Sequence, residues 1–301
     1  AKSVFSRKPD SSVWVDLTAD GYDEKLLLRS DGTSVYMTQD LGTARMRFEE
    51  FGCEKTVYVV ADEQNYHFQV LFQILKKLGE PYADGLYHLN YGMVELPTGR
   101  MKSREGTVVD ADDLVAEVIA EVKKDSLERS EMADFSEAEK LETWRRVGLA
   151  ALKYFILKVG PKRKMIFDPT ESVDIQGQTG PYIQYSYVRI NSLMGRVQRE
   201  GISLEKASQY SDILPQEKAL LSALFAFPGI VQLAAETYDP SQIAHWCYAL
   251  AKDYHRFWHD LSVFNAEDEA ARAFRLKLSK AVGQSLKMAM DLLGIEMPER
   301  M

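Results

Sequence analysis

The 301-residue chain is 46% hydrophobic and 27% charged, an ordinary globular balance, and its length exceeds what one hydrophobic core usually serves, so two domains are expected. A formal net charge of −8 argues against nucleic-acid binding through an overall positive field. No apolar run reads as long enough to span a membrane, and the opening AKSVFSRKPD lacks the apolar core of a secretory signal.

The first residue is not Met, which reads as a piece cut from something longer. Cys53 and Cys247 lie far apart and suit neither a disulfide framework nor a metal knuckle, so a reducing, cytoplasmic setting without a bound metal is expected. The acid is concentrated in front: residues 1–179 carry 24 Lys and Arg against 31 Asp and Glu, and residues 180–301 carry 13 against 14. Within that acidic half, residues 144–167 hold seven basic residues and no acidic one. Such a block is either a solvated face or a local phosphate patch.

In chain order, SVWVDLTADGYDEKLLLRSDG alternates and turns at Asp20-Gly21, which predicts a β-hairpin. TQDLGTARMRFEEFG predicts a helix with Thr38 as cap and Gly52 as stop. KTVYVVA is short, continuously apolar and β-branched, the pattern of a strand buried on both faces. Asp62 is placed to cap the following helix, which Gly79 ends. Strand, helix and strand at this spacing imply βαβ units and a parallel sheet, yet only about two units fit before residue 115, too few for a complete doubly wound sheet.

The stretch PTGRMKSREGTVVDADDLV, residues 97–115, sets Arg100, Lys102 and Arg104 beside Gly99 and Gly106. It reads either as a solvated hairpin tip or as a polyphosphate-binding loop. From Ser136, which forms a capping box with Glu139, helical periodicity dominates: 137–159, 180–200, 215–236, 240–260 and 268–294. No comparable strand pattern follows Asp174, so the back half reads as a helical bundle.

Four stretches in order, VYMTQDLGTA, YVVADEQNYHFQ, YGMVELPTGRMKSREGTVV and GQTGPYIQYSYVRI, followed by RLKLSKAVGQSLKMAMDLLGIEMPERM, resemble the arginyl-tRNA synthetases of class I over nearly the whole chain. The resemblance implies a fold of α/β followed by all-α. Residues 1–168 would form the carboxy-terminal half of a Rossmann-like class I catalytic domain, with the signature loop at 99–106, and 169–301 the helical anticodon-binding domain. Two departures stand out. The His-Ile-Gly-His signature is absent, since His67, His88, His245, His255 and His259 have other neighbours, and the Lys-Met-Ser-Lys-Ser loop appears as RMKSRE, with Ser103 in place of the second lysine.

The activity implied is attack by the arginine carboxylate on the α-phosphorus of ATP, delivered with Mg2+, followed by esterification of tRNA(Arg). Such chemistry needs alignment and cations more than covalent help, which Lys102, Ser103 and Arg104 would supply from a mobile loop. By resemblance, Tyr36, Asp40 and Gln64 would bind L-arginine. A carboxylate such as Asp40 suits a guanidinium that never loses its charge. Gly92, Met93 and Val94 would face the adenine, although as bare sequence they are equally a core strand, and His67 would share the crevice on the ATP side or else be a packed histidine. Arg189 and Arg196 recur, with Arg199, on one helical face, and Tyr182, Tyr185 and Tyr187 interleave. With Trp258 and Met301, Arg189 and Arg196 are the residues expected to meet tRNA. A monomeric parent without membrane association is the expectation. A cysteine-specific class I enzyme would need zinc ligands that two isolated cysteines do not offer. The alternative from another class is a non-catalytic tRNA-binding module.

Overall fold

The computed structural model describes residues 4–97, 110–128, 132 and 134–301. Two compact units divide between Met93 and Val94.

The first unit opens with an antiparallel sheet of β1 (Phe5–Arg7), β2 (Val13–Val15) and β3 (Lys25–Leu28), in that order. The expected hairpin is the β2–β3 pair, and Gly21 takes φ +83° where the connection turns back. Helix α1 (Tyr36–Phe51) starts after extended Val35 rather than at Thr38. Thr38 lies inside the first turn, and its hydroxyl donates to the carbonyl of Leu27, tying the helix to β3 instead of capping it. Gly52 is the stop.

Strands β4 (Thr56–Ala61) and β5 (Leu86–Tyr91) pair in parallel from Thr56↔Leu86 to Ala61↔Tyr91, with α2 (Asn65–Leu78) as the crossover. Asp62 opens a short 3-10 turn, and Gln64 occupies the cap position of α2. β4 is not buried on both faces. Tyr58 and Val60 join the cluster of Phe68, Val70, Leu71 and Ile74, but Val57 and Val59 are 38% and 63% exposed. A continuous apolar run records that both faces tolerate burial, whereas the described residues supply packing partners for one face only.

In the second unit, β6 (Val94–Glu95) pairs in parallel with β7 (Met165–Ile166). Between them run α3 (Ala111–Glu128) and α4 (Glu137–Leu157), which opens on the expected Ser136–Glu139 capping box. After the short α5 (Pro169–Ser172) come α6 (Gly180–Arg199), α7 (Pro215–Thr237), α8 (Ser241–Asp260) and α9 (Glu269–Leu292), each within three residues of the sequence expectation. Among the described residues no strand follows β7. Tyr154, Ile183, Leu250, Tyr254, Phe257, Leu276 and Leu286 form the bundle core, and Val118, Trp144, Val147, Phe155 and Phe167 a second cluster around α3, α4 and β7.

One sequence reading is corrected. α7 contains an 18-residue window of mean hydropathy 1.6 and is long and apolar enough to cross a membrane, by length and composition. Ser222, Pro228, Gly229 and Gln232 punctuate the run without adding charge, which hid its length. Here it packs as a bundle helix: Phe227 stacks on Trp246 at 4.3 Å, and Trp246 Nε1 donates to the Ala223 carbonyl at 3.0 Å.

Candidate functional site

The expected arginine-side residues all lie in the first unit. Tyr36 and Asp40 are one turn apart on α1, so both side chains leave the same helical face. Gln64 and His67 stand in the same relation at the start of α2. The two pairs are joined by a single bond, His67 Nε2 to Asp40 Oδ2 at 2.6 Å. Tyr36 is 82% exposed, and Gln64 is exposed at the cap position, so both are open to a ligand. The start of α2 lies where β4 and β5 end: Asn90 Nδ2 donates to Asn65 Oδ1 at 2.7 Å. The carboxyl ends of parallel strands are the usual place for a ligand in an open α/β sheet.

Sequence reasoning missed Asn65 and Asn90. The polar residue in YHLNY, at the end of an otherwise strand-like run, was the available signal. His88 was also passed over; its ring lies 4.3 Å from Phe68, and its Nε2 lies 3.0 Å from the Val60 carbonyl.

Of the residues expected to face adenine, Gly92 is buried and Met93 half-buried just after β5, while Val94 belongs to β6 and pairs with Met165. Lys102, Ser103 and Arg104, with Gly99 and Gly106, lie outside the described residues.

In the second unit, α6 and α8 build a cationic and aromatic surface. The Arg189 guanidinium lies 5.2 Å from the Trp258 ring and 5.8 Å from that of Tyr185. Of the three interleaved tyrosines only Tyr185 is exposed; Tyr182 and Tyr187 pack into the core. His255, missed in the sequence, lies 5.0 Å from the Tyr182 ring, and its Nε2 is 3.1 Å from Ser186 Oγ. Burial, and then the charge of Arg189, push His255 below the ordinary imidazole value, so the neutral ring is favoured. Ser186 already donates to the Tyr182 carbonyl at 3.0 Å, which makes His255 the donor to Ser186. Arg196 is otherwise engaged, bonded to Glu200 at 2.7 Å and lying 3.6 Å from the Phe264 ring. Met301 is half-buried and lines a small cavity with Val122, Met132, Val147 and Val173.

Residues 2–168 match the family described as tRNA synthetases class I (R), catalytic domain, and residues 183–301 match the DALR anticodon binding domain. The chain belongs to the class I arginyl-tRNA synthetase family. The arginine–tRNA ligases of Phocaeicola vulgatus and Porphyromonas gingivalis (strain W83) are each 51% identical to it, over 100% of this chain and 50% of their own length. The chain thus spans about half the length of the curated relatives it matches. Among solved structures, the Thermus thermophilus arginyl-tRNA synthetase superposes with a TM-score of 0.83 at 24% identity, covering 99% of this chain and 56% of that one. The Plasmodium falciparum arginyl-tRNA synthetase gives 0.82 at 23% identity, over 99% of this chain and 50% of that one. At such identities these superpositions speak for the fold alone: an α/β region followed by a helical bundle, as the motifs implied.

Proposed function

We propose that the protein carrying this chain is an arginine–tRNA ligase, which activates arginine with ATP and transfers it to tRNA(Arg). The observation that carries the reading is the Asp40–His67 bond, which joins α1 to α2 at the carboxyl ends of β4 and β5. Asp40 would accept the guanidinium, Tyr36 wall its plane, and Gln64 hydrogen-bond the polar end of the amino acid. Gly92, Met93 and Val94 would pass along the adenine. Lys102 and Arg104, with Ser103 between them, would hold the phosphates that arrive with Mg2+. On this reading 1–168 serve activation and 169–301 read the tRNA, through Arg189, Trp258 and Tyr185, with Arg196 and Met301 in lesser parts.

Arginine-dependent ATP–pyrophosphate exchange, measured with and without tRNA, tests the reading. In the enzyme that carries this chain, Asp40→Asn should lower kcat/KM for arginine by roughly a hundredfold, the scale of a charged hydrogen bond left unmade. Unchanged turnover would remove Asp40 from the pocket. The 301 residues alone should show no exchange, because His-Ile-Gly-His is not among them. A second reading, a tRNA-binding module without catalysis, is favoured by one observation: the Arg189, Tyr185 and Trp258 surface is assembled from this chain alone. Exchange by the enzyme that carries the chain would exclude it.

A further inference from the structure

We infer that His67 is a positioning residue for the Asp40 carboxylate and acts on arginine rather than on ATP; this rests on the reading of Asp40 as the guanidinium acceptor. An ionised carboxylate can only accept, so at 2.6 Å the imidazole Nε2–H donates to Oδ2. A carboxylate offers about four lone-pair sites, and His67 takes one. Oδ1 and the remaining face of Oδ2 stay available to a planar, two-pronged donor. The Asp40 side chain is 44% exposed and that of His67 25%, so the carboxylate faces solvent while its tether is largely covered.

The tether is itself held from the sheet. His67 meets the edge of Phe68 with ring centroids 5.7 Å apart, Phe68 lies 4.3 Å from His88, and His88 Nε2 donates to the Val60 carbonyl at 3.0 Å. Three neighbouring rings thus run from the backbone of β4 to the bond on Asp40. An aspartate on a solvent-facing helix turn otherwise samples several rotamers, and binding a cation would have to select one. Fixing that rotamer beforehand lowers the cost of binding arginine and offers nothing to a nucleotide.

The test uses the intact ligase that carries this chain, with tRNA-dependent pyrophosphate exchange read against arginine and, separately, against ATP. His67→Ala should raise KM for arginine roughly tenfold to hundredfold, the range for a hydrogen bond to a charged group, with a smaller change in kcat and in KM for ATP. His67→Gln, which keeps an N–H at similar reach, should recover most of the loss. In an Asp40→Asn background the His67→Ala effect should largely disappear, since His67 then has no charged guanidinium acceptor left to position. A rise in KM for ATP instead, an unchanged KM for arginine, or full additivity with Asp40→Asn would each overturn the inference. Should His67→Ala fail to fold, His67→Gln with His67→Leu carries the same comparison. An Asp40→Asn enzyme with unaltered arginine KM would sink the pocket itself, whereas an impaired Asp40→Asn beside an unaffected His67→Ala sinks only the role given to His67.

Discussion

Arg275 Nε lies 2.7 Å from Oε1 of Glu217, whose side chain is fully buried, so α9 and the first turn of α7 meet through an ion pair inside the bundle. The same carboxylate accepts from the Leu214 backbone N–H at 2.8 Å and the Tyr210 hydroxyl at 3.1 Å, and Arg275 Nη1 donates to the Ser262 carbonyl at 2.9 Å. Removing one partner strands the other charge away from water. Arg275→Leu should therefore cost about 3–5 kcal/mol in urea denaturation, whereas the Arg275→Leu/Glu217→Leu pair should recover part of that loss. A single-variant cost below about 1 kcal/mol would show that solvent reaches the carboxylate.

Glu142 is gripped by Arg145 and Arg146, with N–O distances of 2.7 and 2.8 Å, and these bonds hold its carboxyl down at about 2. A depressed folded-state value means that the contribution is present above the unfolded carboxylate range and lost as pH falls through about 2. NMR titration of Glu142 should find its midpoint near 2, and Arg145→Ala should move it upward toward the ordinary range. A wild-type midpoint near 4 would mean that solvent competes the pair apart.

In tRNA binding, Trp258→Ala should cost about 1–3 kcal/mol, the range for losing one stacked base. Arg196→Ala should cost less, because Glu200 and Phe264 already engage that guanidinium. Filter binding at fixed salt compares them, and an Arg196 effect larger than that of Trp258 would reverse the order of roles.

The basic block 144–167 divides in the structure. Arg145 and Arg146 hold Glu142, Lys153 donates to the Gly294 carbonyl, and Lys158 donates to that of Gln178 at 3.2 Å. Lys162, Arg163 and Lys164 are exposed and have no ion pair among the described residues. Neutralising these three should flatten the slope of log affinity for tRNA against log salt by roughly 0.7–0.9 for each phosphate they meet. An unaltered slope would return the turn to the status of a solvated face.

Where periodicity and local capping decide, the sequence was sufficient. Ser136 and Glu139 are three residues apart, and the four long helices after residue 179 bury one stripe each, so all announce themselves locally. Partnerships across elements were not legible. Thr38 has the chemistry of a cap, but the chain enters α1 from Val35, and β3 claims the hydroxyl. Asp40 and His67 were each singled out, yet nothing in residues 27 positions apart says that they share a hydrogen bond. The pairing of Asn65 with Asn90 was not legible for the same reason, since register between β5 and α2 comes from tertiary packing.

The division between Met93 and Val94 falls well before residue 168, where the match to the catalytic family ends. β6 leads into the signature stretch and α3 follows it, and both belong to the same compact unit as α6 and α8. Within that unit the backbone contacts are tight: a methyl group added at Gly148 would stand 2.7 Å from Ile119 of α3, and one at Gly180 would stand 2.4 Å from the Ala150 carbonyl of α4. β6 and α3 therefore belong to the same scaffold that presents Arg189 and Trp258, and any rigid rotation of that scaffold carries both along.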